Sequence, residues 1–340
     1  MRRQVRRAVA AAVAAWACAA GLSGVWAAPQ SSVVESVQTC PPPPVVPSAD
    51  ALQAQRRDAP DRGFLWRISR DGRSSWLYGT LHVGRAEWLV QGPQVRQALR
   101  ASDVIALELD LRDPATRQVL SQASAATARG PGLTPARQAA LAREMAQACL
   151  PVQALSVLPP AMQAATLLAG AGRADGYYPD FGVDLVLAGL PKPLVGLERA
   201  EDQVAALSGR NPAETDAMID QQLKSLASGQ ARGDVSRLAS IWNTGDLDGL
   251  QRYLRQHDAS SSPAERAWTR RLLDDRNPSL ARSIERLHAG GQRVFAAVGA
   301  AHMAGPHGVP ALLAARGFTV ERIVFAAPAR AALNPGSPSP

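Results

Sequence analysis

The same short pattern ends two apolar segments that lie far apart in the sequence. Residues 76–82 read Trp-Leu-Tyr-Gly-Thr-Leu-His, and residues 294–302 read Val-Phe-Ala-Ala-Val-Gly-Ala-Ala-His. Each segment is typical of a buried strand that runs directly into Gly-x-x-His. Ligands bind beyond the carboxyl ends of the strands in open α/β sheets. The pattern therefore predicts that His82 and His302 stand beside a ligand site.

Gly79 and Gly299 begin the two Gly-x-x-His patterns. A glycine at a strand end lets the chain turn sharply or lets a ligand approach the backbone. We therefore take both glycines as candidate substrate-binding residues. A single histidine near a strand end is more often structural, but two matching copies in a chain with five histidines favour a functional interpretation.

Two glutamates follow other apolar runs in the same way. Glu108 closes the run 104–107, and Glu198 closes the run 194–197. Four strand ends would thus bring two imidazoles and two carboxylates to one edge of a sheet, which suits a divalent metal such as manganese, cobalt or zinc. A metal there could activate water, with one carboxylate as general base. The alternative is that the glutamates cap helices or pair with arginines.

The remaining patterning predicts an α/β fold. Apolar alternation from Phe64 to Ile68, followed by Asp71-Gly72, is typical of a hairpin. Helical periodicity dominates residues 114–290. We predict one domain over residues 63–327, with a central mixed sheet built from two halves that each carry Gly-x-x-His, and with the helical segment inserted as a cap.

Other polar residues are weaker candidates. Asn277-Pro278 predicts a helix N-cap followed by proline. Arg276 precedes that helix and could bind a carboxylate or phosphate of a substrate, although a salt bridge is the alternative. Asp184 lies in a helical run before Glu198, and its side chain could face either towards the site or away from it. His288 is expected at the surface, at a helix end.

The amino terminus has the features of an export signal. Four arginines precede an uncharged stretch over residues 8–27, which ends in Val-Trp-Ala, so we predict a signal peptide at 1–27 with cleavage near Ala27 and a periplasmic or secreted protein. An uncleaved anchor is the alternative. Residues 28–62 read as an unstructured proline-rich linker, and residues 328–340 as a disordered tail.

Charge and cysteine content narrow the function classes. Cleavage would reduce the formal net charge from +8 to +4, which argues against nucleic-acid binding, and would leave no stable membrane span. Cys40 and Cys149 would remain, and they either form a disulfide or stay as free thiols. The mature chain has no GxSxG, P-loop, GxGxxG or HExxH motif. The oligomeric state is left open.

At these residues the sequence resembles the TraB/GumN family, whose animal relatives are the Tiki proteins. The resemblance extends from about Phe64 to Phe325. Its carriers are Tyr78-Gly79-Thr80-Leu81-His82, Ala106-Leu107-Glu108-Leu109-Asp110, Gly196-Leu197-Glu198, Arg276-Asn277 and Val298-Gly299-Ala300-Ala301-His302-Met303-Ala304-Gly305.

The resemblance implies an α/β fold related to erythromycin-esterase-like and ChaN-like proteins, and a metal-dependent peptidase of the Tiki type. It implies that His82, His302 and Glu108 are catalytic, and it gives Glu198 no role. The expected substrate is a peptide or small molecule. The kinship with ChaN-like haem binders implies a rival, a non-catalytic protein that binds haem or a small ligand. A third possibility is an envelope interaction protein whose site has decayed.

Overall fold

The computed structural model describes residues 40–128, 133–155 and 158–326. The predicted signal peptide at 1–27 and the predicted tail at 328–340 lie outside the described residues.

A six-stranded mixed sheet forms the centre of the fold, in the order β4-β3-β5-β2-β1-β6. The strands are β1 (Phe64–Arg70), β2 (Arg73–Thr80), β3 (Val104–Leu107), β4 (Leu194–Gly196), β5 (Val294–Gly299) and β6 (Thr319–Ile323). β4, β3, β5 and β2 are parallel to one another, whereas β1 and β6 add an antiparallel edge. The predicted α/β class with a mixed sheet is confirmed.

The helices surround this sheet and fill the long connections between its strands. They are α1 (Ala49–Asp58), α2 (Pro93–Ala101), α3 (Pro114–Ala128), α4 (Pro135–Gln147), α5 (Pro160–Gly170), α6 (Val183–Ala188), α7 (Ala200–Leu207), α8 (Pro212–Ala227), α9 (Gln230–Thr244), α10 (Leu247–Ser260), α11 (Pro263–Leu272), α12 (Asn277–Ala289) and α13 (Val309–Ala315).

The hairpin between β1 and β2 forms as the sequence predicts. Asp71 and Gly72 have φ angles of 53° and 71°, and Arg70 pairs with Arg73 across the turn. Positive φ at both central residues is the type I′ geometry, whose twist matches that of the strands it joins. This turn fixes the register of β2, and β2 leads into the first Gly-x-x-His.

The parallel arrangement gathers four strand ends at one edge of the sheet. β2 pairs with β5, β5 with β3, and β3 with β4, all in the same direction. The carboxyl ends of neighbouring parallel strands meet at the same edge, where ligands bind in this class of fold. The residues that follow these strands therefore face a common region.

The long insertion contributes to two hydrophobic clusters instead of standing apart as a cap. One cluster lies among α3, α4, α5 and α8, where it includes Leu120, Met145 and Ile219. The other is the core around the sheet, and Trp242 of α9 and Leu280 of α12 belong to it. The predicted cap at 114–290 is thus helical, but its ends and β4 are part of the central core.

The prediction that residues 28–62 lack secondary structure is wrong for residues 49–58, which form α1. No side chain of this helix is buried. The Ser48 side chain accepts from the Ala51 N–H, Asp50 lies in the first turn, and Arg56 and Arg57 lie in the last. A cap and charges that complement the helix dipole stabilise this helix, so it has no apolar period for a sequence pattern to reveal.

Cys40 and Cys149 form a disulfide, which was one of the two alternatives left open by the sequence. The Tyr178 hydroxyl also donates to the Pro42 carbonyl at 2.9 Å. These two contacts attach the proline-rich segment to the body of the fold. Within the described ranges, none of the helices is long and apolar enough to cross a membrane.

Trp242 connects the insertion to the strand that precedes His82. Its indole Nε1 donates to the Gly79 carbonyl at 2.7 Å, and its own carbonyl accepts from the Gly63 N–H at 2.9 Å. Its ring packs against Trp88 at 4.7 Å between centroids. The indole is 1% exposed, so its hydrogen bond is shielded from water.

Replacing Trp242 with phenylalanine should lower the free energy of unfolding by ~1–3 kcal/mol, because the buried Gly79 carbonyl loses its donor. Trp268→Phe is the matched control, since the Trp268 Nε1 is buried and has no hydrogen-bond partner among the described residues. Urea unfolding followed by far-UV circular dichroism measures both. Equal losses in the two variants would contradict the role given to this hydrogen bond.

Candidate active site

Glu108 and Glu198 lie side by side because the pairing of β3 with β4 continues past the ends of these strands. The Leu197 N–H donates to the Leu107 carbonyl at 2.8 Å, and the Glu198 N–H donates to the Glu108 carbonyl at 3.0 Å. Both side chains are nearly buried, with 13% of Glu108 and 3% of Glu198 exposed. Two neighbouring buried carboxylates require a compensating positive charge.

Arg276 supplies that charge from the residue before α12. Its Nη2 lies 2.5 Å from Glu198 Oε1 and 2.5 Å from Glu108 Oε2, and its Nε donates to Glu198 Oε2 at 2.8 Å. The pairing of the two glutamates with an arginine, which the sequence left open as an alternative, is therefore present. Both oxygens of Glu198 bond Arg276, so this glutamate faces the guanidinium. Arg276 itself lies in an ion pair, and its assignment to substrate binding stays a prediction.

Glu108 keeps a second oxygen directed towards β5. Its Oε1 accepts from the Gly299 N–H at 2.8 Å, and its Oε2 also accepts from Gln203 Nε2 at 3.2 Å. Burial opposes ionisation, but the nearby His302 and Arg276, together with this N–H, hold the pKa of Glu108 well below its usual range. Glu108 is therefore a carboxylate at neutral pH, fixed by contacts on both oxygens.

His302 is buried and is oriented by Asn277. Its Nδ1 lies 2.6 Å from Asn277 Oδ1, while Asn277 Nδ2 donates to the His307 carbonyl at 2.8 Å. Because the amide nitrogen must face that carbonyl, the amide oxygen faces the ring, and Nδ1 of His302 carries the hydrogen. Burial lowers the pKa of His302 to about 4. The ring is therefore neutral at pH 7, with its lone pair on Nε2.

Asn277 was predicted as an N-cap, and this prediction is wrong. Arg276 occupies the cap position with no side-chain cap bond, and Asn277 is the first residue of α12. The proline at 278 fits the first turn in either register, so the sequence pattern alone could not distinguish them. The Asn277 side chain bonds the histidine instead of the helix end.

His82 pairs with Asp184, whose orientation the sequence left open. His82 Nδ1 lies 3.4 Å from Asp184 Oδ2, and the His82 side chain is 44% exposed. Burial works against protonation, but the charges of Asp184 and Glu108 outweigh it and raise the pKa of His82 to about 9. His82 is thus the solvent-exposed, cationic histidine of the pair, and His302 is the buried, neutral one.

A backbone clamp brings Asp184 to His82. The Val183 N–H donates to the Leu81 carbonyl at 2.8 Å, and Gly84 and Tyr178 form an isolated bridge with hydrogen bonds of 2.9 and 2.8 Å. A Cβ built on Gly182 would lie 2.9 Å from the His82 carbonyl, so the two segments touch closely. This clamp holds the start of α6 against the residues that follow β2.

The two motif glycines are sites of close approach. A Cβ at Gly79 would lie 3.2 Å from Met303 Cγ and 3.3 Å from Ala300 Cα, both in the segment that carries the second motif. A Cβ at Gly299 would lie 3.3 Å from Glu108 Oε1 and 3.5 Å from His302 Cδ2. Glycine therefore permits packing between the two halves and between the acid and the ring. Their assignment to substrate binding stays a prediction.

A pocket opens beside these groups. About 480 Å³ of empty space lies between its walls and mouth, a volume that includes open solvent. Its polar lining comes from Thr80, His82, Glu108, Asp184 and Gln203, and its apolar lining from Leu107, Leu109, Leu111, Leu185, Ala188 and Ala297.

The donor chemistry at this edge suits a divalent metal. Both histidines have Nδ1 beside an acceptor on another segment, the kind of second contact that orients metal-binding histidines, and Nε2 is the nitrogen that remains for a metal once His82 has lost its proton. Asp184 Oδ1 is buried and has no hydrogen-bond partner in the described part of the chain. Among those residues, no three His, Cys, Asp or Glu side chains are already gathered in a metal-holding group.

Sequence reasoning named Asp184 without placing it, gave Asn277 a different role, missed Gln203 and misjudged one histidine. Asn277, Asp184 and Gln203 contact the candidate site through the packing of the insertion, and nothing in their spacing from the motifs signals this. His288 was expected at the surface, but it is fully buried, with Nδ1 2.9 Å from Ser75 Oγ and Nε2 3.1 Å from the Arg70 carbonyl. It is a structural contact between α12 and the hairpin.

Asn277→Ala should change the tautomer of His302 and destabilise the fold by ~1–3 kcal/mol, because the buried Nδ1–H loses its acceptor. Long-range ¹H–¹⁵N spectra of the metal-free protein at pH 7 report the tautomer, with the signal assigned through His302→Gln. Asn277→Asp keeps the acceptor and should keep Nδ1–H. A wild-type His302 protonated on Nε2 would contradict the geometry described.

Comparison with known proteins identifies the family of this chain. The profile of the TraB/PrgY/gumN family matches residues 64–322. Metalloprotease TIKI1 of Danio rerio is 43% identical over 60 residues, a segment that covers 17% of this chain and 12% of that protein. No solved structure matches the chain. Because the family profile spans most of the sequence, the chain belongs to the TraB/PrgY/gumN family.

Proposed function

We propose that this protein is a metal-dependent hydrolase of the Tiki-like peptidase type. The observation that carries the proposal is the pair of histidines from two separate strand ends, each with Nδ1 beside an acceptor, next to one buried, ionised carboxylate. The short similarity to a protein named as a metalloprotease supports the same reaction class. The expected ion is manganese, cobalt or zinc.

In this proposal His82 and His302 hold the ion through Nε2, and His82 releases its Nε2 proton to solvent when the ion binds. Asp184 orients the first ring and Asn277 orients the second. When bound, a divalent ion would supply Lewis-acid polarisation of the scissile carbonyl and of the attacking water. Glu198 remains the ion-pair partner of Arg276 and is left outside the proposed ligand set.

Glu108 is the general base in this proposal. Its carboxylate takes up the proton of the attacking water at Oε1, the oxygen that faces Gly299 and His302, and passes it to the leaving amine nitrogen as the peptide C–N bond breaks. Arg276 and Gln203 hold the other oxygen, so the carboxylate keeps its orientation while it gains the proton. A positioned base of this kind contributes roughly 10²–10⁴-fold to the rate.

Metal content and peptide hydrolysis test the proposal together. After loading with manganese, cobalt or zinc, the mature protein should bind about one ion per chain, as expected for a single site. His82→Ala and His302→Ala should stay folded, lose the ion and lose hydrolysis of a peptide library. Glu108→Gln should keep the ion and hydrolyse about 10²–10⁴-fold more slowly.

His307→Ala is the matched control, because the His307 ring is exposed while the residue lies close to the second motif. It should keep both metal and activity. Full metal content in both histidine variants would show that the site assignment is wrong. A Soret band on titration with haem, lost in those variants, would favour the non-catalytic haem binder. A protein that stays empty with every ion would favour the interaction protein.

We also propose that the protein is exported and works in the periplasm or outside the cell. The charged and apolar segments of residues 2–27 and the Cys40–Cys149 disulfide support this, because disulfides persist in oxidising compartments. Amino-terminal sequencing of the protein recovered from the exporting host should begin at Ala28. A membrane-bound chain that retains residues 1–27 would contradict cleavage and favour the anchor.

A further inference from the structure

Part of the pocket lining is aliphatic and has no part in the proposed chemistry. We define the leucine wall as the side chains of Leu107, Leu109, Leu111 and Leu185. We propose that the leucine wall binds an aliphatic side chain of the substrate peptide, next to the bond that is cleaved. This inference rests on the proposed function, and it specifies the class of peptide that the site accepts.

The leucine wall lies where the two hydrophobic clusters meet. Leu107 belongs to the core around the sheet, whereas Leu109 belongs to the cluster of the insertion. Leu111 and Ala188 are only partly buried, so apolar surface remains available at the mouth of the pocket. An aliphatic side chain placed there would remove this surface from water and extend both clusters.

The leucine wall itself carries no charge that could pair with an acidic or basic substrate side chain. Glu108 already has Arg276 as a partner, and Asp184 has His82. Neither lysine nor arginine is among the described residues that line the pocket. A charged side chain against the leucine wall would therefore lose water without an opposite charge on the wall to replace it.

The position of the leucine wall connects side-chain recognition to the candidate chemistry. Leu107 and Glu108 are adjacent in the chain, and Asp184 and Leu185 are adjacent at the start of α6. A side chain on the wall would thus hold its own backbone beside the carboxylate and His82. Thr80 and Gln203 provide polar atoms in the same pocket for the amides of that backbone.

Three capped amino acids of matched backbone test the inference without catalysis. N-acetyl-leucinamide should bind the mature protein about tenfold or more tightly than the glutamate and lysine analogues, as judged by ligand-observed NMR titration. Ala188→Trp fills the pocket and should weaken leucinamide binding by at least about tenfold. Ala311→Trp, on an exposed position of α13, is the control and should bind normally.

Leu111→Lys provides a second test, which applies also if Ala188→Trp does not fold. It places a cation on the leucine wall, so it should weaken leucinamide binding and strengthen binding of the glutamate analogue. Equal binding of the three probes, or normal leucinamide binding in a folded Ala188→Trp or Leu111→Lys variant, would overturn the inference.

Glu108→Gln separates this inference from the proposed function. It should slow hydrolysis about 10²–10⁴-fold and keep the preference for leucinamide over the charged analogues, because the four leucines are unchanged. Leucinamide binding in a wild type that hydrolyses no peptide would contradict the peptidase and support the leucine wall. Hydrolysis of peptides with no preference for aliphatic side chains would support the peptidase and contradict the leucine wall.

Discussion

One guanidinium compensates two buried carboxylates, and the arrangement of the sheet edge depends on it. Glu108 and Glu198 are adjacent because β3 and β4 pair beyond their ends, and Arg276 spans both. Without Arg276, two charges with little access to water would face each other, a situation that typically costs about 3–5 kcal/mol. The ion pairs therefore fix where α12 starts, and that start places Asn277 against His302.

The two Gly-x-x-His halves place their histidines in different electrostatic environments. His302 is closed off and is held by a neutral amide, whereas His82 is open to solvent and is held by a carboxylate. The pKa values move in opposite directions for these reasons. A sequence repeat thus yields a site with one buried, neutral histidine and one charged histidine that lines the pocket.

Local patterns predicted the parts of the fold that local interactions determine. The hairpin at Asp71-Gly72, the strand at Val104–Leu107 and the α/β class follow from turn chemistry and apolar runs. The helix α1 was not predicted, because a cap and charges stabilise it and it has no apolar face for a periodic pattern to reveal. The contacts of the supporting residues could not be predicted for a different reason. Contacts such as that of Asn277 with His302 form when distant segments pack, and the spacing of residues along the chain does not indicate them.

The candidate specificity draws on two parts of the chain: three leucines of the wall flank Glu108 at the end of β3, and the fourth belongs to the insertion. Glu108 and His302 follow strands whose positions the sheet register fixes, whereas Leu185, Ala188 and Gln203 belong to the insertion between β3 and β5. Changes in the insertion can alter the leucine wall while the strand ends stay in place. The helix α6 is the exception, because it carries both Leu185 of the leucine wall and Asp184, which orients His82. A rearrangement of α6 would therefore change side-chain recognition and the open histidine together.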